Sequence, residues 1–260
     1  MSGPPRALVR SLVEGSSALS GLEWHDEVTS TQARGVAAAL AGVPEIHAVV
    51  AGAQTAGRGR LGRPWVAPAG TSLLASFVLR PTVPADRVGL LPLLAGLALA
   101  EVADRYCPRV ALKWPNDLLV GGRKAAGILA ERLEPSGAVV LGVGVNVDWR
   151  GLARPPEVAQ ATSLAEAAGA DVDRWRVLAA LVGLLGRRYH DWTDEPAAFL
   201  AAYRRRCATI GCRVRVTRPA GDPVEGLVTA VDDEGALCVR DGADGAHRLS
   251  AGDVEHVRPA

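Results

Sequence analysis

The residues best suited to chemistry lie in one run, Gln54-Thr-Ala-Gly-Arg-Gly-Arg-Leu-Gly-Arg-Pro-Trp65. Gly57, Gly59 and Gly62 alternate there with Arg58, Arg60 and Arg63. Glycine lets a backbone approach a ligand closely. Arginine brings a permanently charged fork that matches carboxylate or phosphate oxygens. Between Glu45 and Asp86 no carboxylate occurs, while Arg58, Arg60, Arg63 and Arg80 fall inside. A cationic loop with no local counter-ion suits an anion that arrives from outside. The spacing Gly57-x-Gly59-x-x-Gly62 also matches a dinucleotide fingerprint. That fingerprint needs a helix beginning inside it and an acidic residue about 20 positions later. Pro64 blocks the helix and no acid follows until Asp86, so this reading fails. A loop that is basic only because the chain is arginine-rich leaves the missing carboxylates unexplained.

A second group of candidates follows. The chain has 27 arginines and two lysines, Lys113 and Lys124, which lie in one segment. Val110 to Val120 starts as a strand interrupted by Pro115-Asn116-Asp117, which is turn chemistry. Gly121-Gly122 signals a hairpin, and Lys124 to Glu131 returns as a strand with Gly127 giving backbone access. Such a hairpin gathers Lys113, Asp117 and Lys124. Two ammonium groups beside a carboxylate suit a polyanion carrying a divalent metal; the plain alternative is an exposed Asp–Lys pair of little consequence. Val139 to Val147 reads as a central strand whose glycines leave room against the backbone. Asn146 is its one polar residue, suited either to adenine or to bridging a turn.

The elements that position these residues are legible in outline. Residues 1–21 form an N-terminal extension with a weak helix over Arg6 to Glu14. Leu22 to Val28 is a strand, and Thr29-Ser30-Thr31-Gln32 opens an alanine-rich helix ending near Gly42. The hydroxyls there either cap the helix or face a ligand. Ile46 to Ala53 and Thr71 to Leu79 are buried strands on either side of the Gly/Arg loop. Asp86 to Tyr106 is helical and packs on one face of the sheet. Arg150 to Thr162 is a loop, Ser163-x-x-Glu166 a capping box, and helices follow over Asp173 to Trp192 and Pro196 to Cys207. From Gly211 four short alternating runs appear, Arg213 to Thr217, Val224 to Val231, Ala236 to Arg240 and Ala246 to Leu249. They predict a small β-barrel docked on the main domain.

Composition sets the bounds. The chain has 260 residues and a formal charge of +1, enough for one large domain with a small appendage and too neutral for a dedicated nucleic-acid binder. Cys107, Cys207, Cys212 and Cys238 show no metal-ligand spacing and read as reduced thiols. No signal peptide or membrane span is apparent, which leads to an expectation of a cytoplasmic protein. No P-loop, no Gly-x-Ser-x-Gly elbow and no His-Glu-x-x-His helix occurs. A site of this kind, without a protein nucleophile, can hold two anions side by side and neutralise their repulsion. That suffices for a substrate carboxylate to attack the α-phosphate of ATP.

Gln54 to Trp65, Lys113-Trp-Pro-Asn-Asp117, Gly122-Arg-Lys-Ala-Ala-Gly-Ile-Leu-Ala-Glu131 and Gly142-Val-Gly-Val-Asn146, in this order, resemble the biotin–protein ligases. The resemblance runs from about residue 22 to the C-terminus. It implies an α+β fold, a mixed sheet flanked by helices of class II synthetase type over residues 22–208, with an SH3-like β-barrel over 209–260. It implies that biotin and MgATP give biotinyl-5′-AMP, and that biotin then passes to one lysine of a biotin carboxyl carrier domain. By position, Ser30, Thr31, Gln32, Gln54, Gly57, Arg58, Gly59, Arg60, Lys124 and Gly127 are similar to the biotin side. Arg60, Arg63, Trp65, Lys113, Asn116, Asp117, Lys124 and Asn146 are similar to the ATP side. Lys124, Arg60 and Asp117 are the catalytic candidates, with Asp117 a Mg2+ ligand. Where Gln32 stands the family often has Asn. The chain has no room for the N-terminal DNA-binding domain of some members, so a monofunctional ligase without DNA or membrane partners is expected; the family's sheet can also mediate a homodimer. Two other readings stand beside this one. A lipoate–protein ligase or octanoyltransferase shares the Lys-Trp-Pro-Asn-Asp motif, although the Gly-Arg-Gly-Arg loop favours biotin. A non-catalytic binding module is the other, although carboxylates outnumber arginines between Arg213 and His256, which suits phosphate poorly.

Overall fold

The computed structural model describes residues 3–14, 19–195, 198–243 and 245–257. Its main body is a seven-stranded mixed sheet. The strands are β1 (Gly21–Val28), β2 (His47–Gln54), β3 (Ser72–Leu79), β4 (Val110–Lys113), β5 (Asp117–Val120), β6 (Arg123–Arg132) and β7 (Val139–Asn146). They lie in the order β1-β2-β3-β7-β6-β5-β4, which puts β7 in the centre. Only β1 and β2 run parallel.

Period-two alternation divides the sheet into two faces with different fates. Leu73, Ala75, Phe77 and Leu79 of β3 point to one face with Val139, Leu141, Val143 and Val145 of β7. There they meet two helices, α3 (Leu91–Ala103) and α5 (Arg174–Asp194), counted after α1 (Arg6–Val13) and α2 (Thr31–Leu40). Almost every residue of α3 is buried, as befits a helix that is apolar all round. The 86–106 segment enters as a 3-10 turn over Ala85–Leu90 before α3 begins, because Pro84, Gly89 and Pro92 delay a regular α-helix. On the other face α2 packs Ala38 and Ala39 on Val78 and Val140. The rest of that face stays open, and the candidate residues look out from it.

A short α4 (Leu164–Ala168) carries the expected capping box, Ser163 with Glu166. Beyond α5, helix α6 (Leu200–Arg206) begins later than the sequence suggested, and residues 196 and 197 lie outside the described residues. The C-terminal region is a five-stranded antiparallel sheet, β8 (Arg213–Thr217), β9 (Val224–Val231), β10 (Leu237–Arg240), β11 (Ala246–Leu249) and β12 (Asp253–His256). Four strands were expected. The fifth, β12, escapes sequence reading because only Val254 in its four residues is buried; it pairs with β8. This unit docks through its 232–235 turn. Trp114 Nε1 donates to Gly235 O at 2.9 Å, and Arg204 Nε donates to Val231 O at 2.6 Å. All four cysteines are free thiols.

Candidate functional site

The sheet register builds the floor of the site. Lys113 of β4 pairs with Asp117 of β5, Asp117 with Gly127 of β6, Gly127 with Gly144 of β7, and Gly144 with Leu74 of β3. One transverse row therefore carries a lysine, a carboxylate, two glycines and a leucine on a single face. Above this row lies a cavity of about 670 Å3, within the range of small-molecule sites.

The two glycines are needed there. A Cβ on Gly127 would stand 2.8 Å from the Trp65 ring, and one on Gly144 would stand 2.5 Å from it. The indole lies in the trough they form, with its Nε1 buried and without a hydrogen-bond partner. Lys124 Nζ sits 5.7 Å from the centroid of the same ring and 2.6 Å from Asp117 Oδ1. Room against the backbone of β7 is thus used by protein side chains: Trp65 over Gly144, and Gln32 Oε1 against Gly142.

One end of the cavity is a network of neutral polar groups. Ser30 caps α2, its Oγ accepting from Gln32 N at 3.2 Å. Thr31 lines the cavity beside it, and its N and Oγ1 both donate to Gln54 Oε1, at 2.7 and 3.1 Å. Ser76 Oγ donates to Thr31 Oγ1 at 3.0 Å, and Gln32 Nε2 donates to Val140 O at 3.0 Å. Of the two adjacent hydroxyls at the helix start, that of Ser30 caps the helix and that of Thr31 joins the side-chain network with Gln54 and Ser76.

At the other end Asn146 is buried and does two things. Its Nδ2 donates to Thr162 O at 2.9 Å, so it bridges to the 150–162 loop, while its Oδ1 has no partner. Trp149 and residues 156–161 complete this wall, and Arg123 and Arg154 both donate to Ala161 O and hold the loop in place.

The Gly/Arg loop roofs the cavity, and here the structure corrects the sequence. Its arginines do have protein partners, drawn from distant elements. Arg58 pairs with Glu131 at 3.4 Å, and Arg63 pairs with Asp253 of β12 at 2.5 Å. Arg60 Nη1 donates to Asn116 Oδ1 and to Gly252 O, each at 3.3 Å. Burial, with the neighbouring Arg63 cation, outweighs Asp117 and Asp253 and lowers the Arg60 pKa. Asn116 is itself anchored: its Nδ2 donates to Ile128 O at 2.8 Å.

Ser30, Thr31, Gln32, Gln54, Arg58, Gly59, Arg60, Arg63, Trp65, Lys113, Asn116, Asp117, Lys124, Gly127 and Asn146 all line the cavity. Gly57 is set back from it, packed so closely on Trp65 that a side chain there has no room. Sequence reasoning missed Ser76, Asp253, His256 and the 156–161 wall. Ser72, Leu74 and Ser76 alternate along an otherwise apolar strand, a signal that could have exposed Ser76. Partial desolvation first, and then the Lys113 charge, hold the His256 imidazole below the usual histidine range.

The cavity also bears on a metal. Among the described residues no cluster of three or more His, Cys, Asp or Glu side chains could hold an ion. Mg2+ does not need one: it is bound through one or two carboxylates together with substrate phosphates and water. A single carboxylate, Asp117, beside Lys124 fits a metal that arrives with a nucleotide.

Residues 28–148 match the biotin/lipoate A/B protein ligase family, and residues 209–257 match the biotin protein ligase C-terminal domain. The chain is similar to the biotin–[acetyl-CoA-carboxylase] ligase of Mycobacterium tuberculosis, at 41% identity across 97% of this chain and 95% of that one. It belongs to the biotin protein ligases. The bifunctional ligase/repressor BirA of Bacillus subtilis is 32% identical over 90% of this chain and 73% of its own. Among solved structures, the Aquifex aeolicus biotin protein ligase in complex with biotin and ATP superposes with a TM-score of 0.79 at 29% identity, covering 92% of this chain and 99% of that one. A biotin ligase fold, with its mixed sheet, flanking helices and C-terminal β unit, is what the resemblance implied. No helix among the described residues is long and apolar enough to cross a membrane.

Proposed function

We infer that this chain activates biotin with MgATP as biotinyl-5′-AMP and transfers the biotinyl group to a lysine of a biotin carboxyl carrier domain. The single observation that carries the reading is the division of one cavity. A neutral polar network around Thr31, Gln54 and Ser76 closes one end, a buried and unfilled amide oxygen of Asn146 marks the other, and Lys124 and Arg60 stand between.

Each end suits one substrate. The ureido ring of biotin offers both donors and acceptors, which the Ser30–Gln32 turn, Gln54 and Ser76 can meet without charge. Adenine offers an exocyclic amine, the donor that Asn146 Oδ1 lacks. Biotin carboxylate and the ATP α-phosphate then meet over the glycine row, where Lys124 and Arg60 offset their repulsion and hold the attacking oxygen in line. Arg58 and Gly59 close over the biotin tail, and Arg63, Trp65 and Lys113 flank the nucleotide. Asp117 would hold Mg2+, which supplies charge neutralisation on the phosphates. When substrate oxygens take over Lys124, the Asp117 carboxylate is released from its ion pair for that purpose. We assign residues 22–208 to this catalytic unit and 209–260 to a C-terminal unit that completes its wall through Asp253 and His256.

Intact-mass measurement of a purified carrier domain tests the reading. Incubation with the protein, MgATP and biotin is expected to add one biotinyl group, and replacing the acceptor lysine by arginine is expected to abolish the gain. Modification with lipoate or octanoate in place of biotin would move the chain to the sister activity. No modification by any of these acids would leave the binding-module reading.

A further inference from the structure

Asn146 brings an unpartnered oxygen to the cavity, and the reason lies behind it. Its Nδ2 donates to Thr162 O, so the orientation of the amide is set by where that carbonyl points. The two peptides around Thr162 are bonded at every backbone polar group. In the first, Ala161 O accepts from Arg123 and from Arg154 Nη1, the latter at 2.8 Å, and Thr162 N donates to Lys124 O at 2.8 Å. In the second, Thr162 O accepts from Asn146, and Ser163 N donates to Glu166 Oε2 at 2.9 Å. Arg154 Nη2 donates to Glu166 Oε1 and closes the circuit. Resting on the ligase reading above, we propose that Arg154 is a positioning residue. Paired with Glu166, it fixes the Thr162 carbonyl and so turns the Asn146 oxygen into the cavity. The site then selects a nucleobase that carries an exocyclic amine over one that carries a carbonyl in its place.

Arg154 is set behind the wall rather than in the cavity, so it acts through Thr162 and not on a substrate. Its guanidinium lies 5.9 Å from the ring centroid of Trp149, which does line the cavity, and Trp149 N donates to Ser163 Oγ at 3.1 Å. The Arg154 and Glu166 side chains are each 19% exposed, which leaves the pair less screened than a surface ion pair. Glu166 also caps α4 through Oε2, so the circuit is anchored on a helix start. Reversing the Asn146 amide would set its oxygen against Thr162 O, two acceptors with no proton between them, at a residue that is 1% exposed. That arrangement forfeits a buried hydrogen bond and adds repulsion. The amide therefore keeps one orientation while the carbonyl stays in place. An adenine amine donates to the exposed end of that amide. A carbonyl at the same position meets it acceptor to acceptor, and a site built to pair one polar group rejects its opposite more strongly than it rejects a missing contact. Once the Thr162 carbonyl is free to turn, the amide can reverse and donate from Nδ2 to such a base.

Biotin-dependent exchange of pyrophosphate into ATP and into ITP, measured on the full-length chain, tests this. ITP replaces the adenine amine by a carbonyl and keeps the size of the base and the phosphates. Wild type is expected to favour ATP in kcat/KM. Arg154→Ala is expected to lower that preference by about tenfold, the scale of one buried hydrogen bond, with KM for biotin unchanged. Arg154→Lys restores the charge and one donor and should recover part of the preference. Glu166→Gln opens the circuit from the other side and keeps a carboxamide oxygen for the α4 cap, so it carries the same expectation if Arg154→Ala does not fold. Equal losses with the two nucleotides, leaving their ratio at the wild-type value in the folded variants, would give Arg154 a structural role alone and overturn the proposal. A wild type that uses ITP as well as ATP would overturn it too. Absence of biotin-dependent exchange with either nucleotide in the wild type would instead overturn the ligase reading, and the proposal with it.

Discussion

Gly127 and Gly144 face each other across the β6–β7 ladder, and the Trp65 indole lies over both. A tryptophan from the Gly/Arg loop thus rests on the central strands in the floor of the cavity, at the point where the proposed reaction brings the two substrates together. The relationship explains why two interior strand positions lack side chains despite the packing that glycine forgoes.

Gly144→Ala is accordingly expected to act on function. The new Cβ would stand 2.5 Å from the indole, forcing the ring out of the trough. The variant should melt near the wild-type temperature, and its exchange rate should fall by about tenfold, the effect of 1.4 kcal/mol. Calorimetry alongside exchange kinetics checks both parts.

Asn146→Ala removes an acceptor that the protein itself leaves unfilled. KM for ATP is expected to rise by about tenfold with biotin affinity unchanged, since a hydrogen bond to a buried group is worth about 1–1.5 kcal/mol. Asn146→Asp retains the acceptor and loses the donor to Thr162, so its defect should appear in stability first. Titration with biotin and ATP separately distinguishes the two variants.

Much of this was legible in the sequence, for physical reasons that can be named. The β-branched runs and the glycine–glycine turn at Gly121-Gly122 located the strands, and the Lys113–Asp117–Lys124 cluster followed from the hairpin. Long-range partners were not legible. Nothing local to Arg63 indicates that its counter-ion is Asp253, on a strand almost two hundred positions away and with one buried residue. The absence of carboxylates around the loop was visible; that Glu131 and Asp253 supply them was a property of the fold. Asn146 was open between structural amide and ligand contact because one end of its side chain bonds Thr162 O while the other has no protein partner.

The Arg63–Asp253 pair ties the loop to the C-terminal unit, yet its arginine side chain is 65% exposed. Breaking it should change global stability by less than about 1 kcal/mol. Asp253→Arg is expected to raise KM for ATP by loosening the roof, and the exchanged pair Arg63→Asp with Asp253→Arg to recover part of the loss. The recovery should shrink in high salt, where exposed pairs are screened. Kinetics at two ionic strengths tests this.

Partial desolvation against the cavity wall, and then the Lys113 charge, hold the His256 pKa below its unfolded value. Between the folded value and the unfolded one, near about 6.5, the unfolded chain binds more protons, so stability rises with pH. The contribution is complete above the unfolded value and is lost as pH falls through the folded one. His256→Gln should flatten that part of the melting-temperature profile while leaving stability at pH 8 close to wild type.

The most direct test is biotin-dependent ATP–pyrophosphate exchange in the wild type and in Lys124→Ala, because Lys124 stands beside both Asp117 and Trp65 at the junction of the two ends. Exchange that requires biotin and falls by about 10²–10³-fold in the variant is the predicted result, the usual loss when one positioned donor to a developing charge is removed. Exchange that proceeds unchanged without Lys124, in a folded variant, would contradict the account of where the carboxylate and α-phosphate meet.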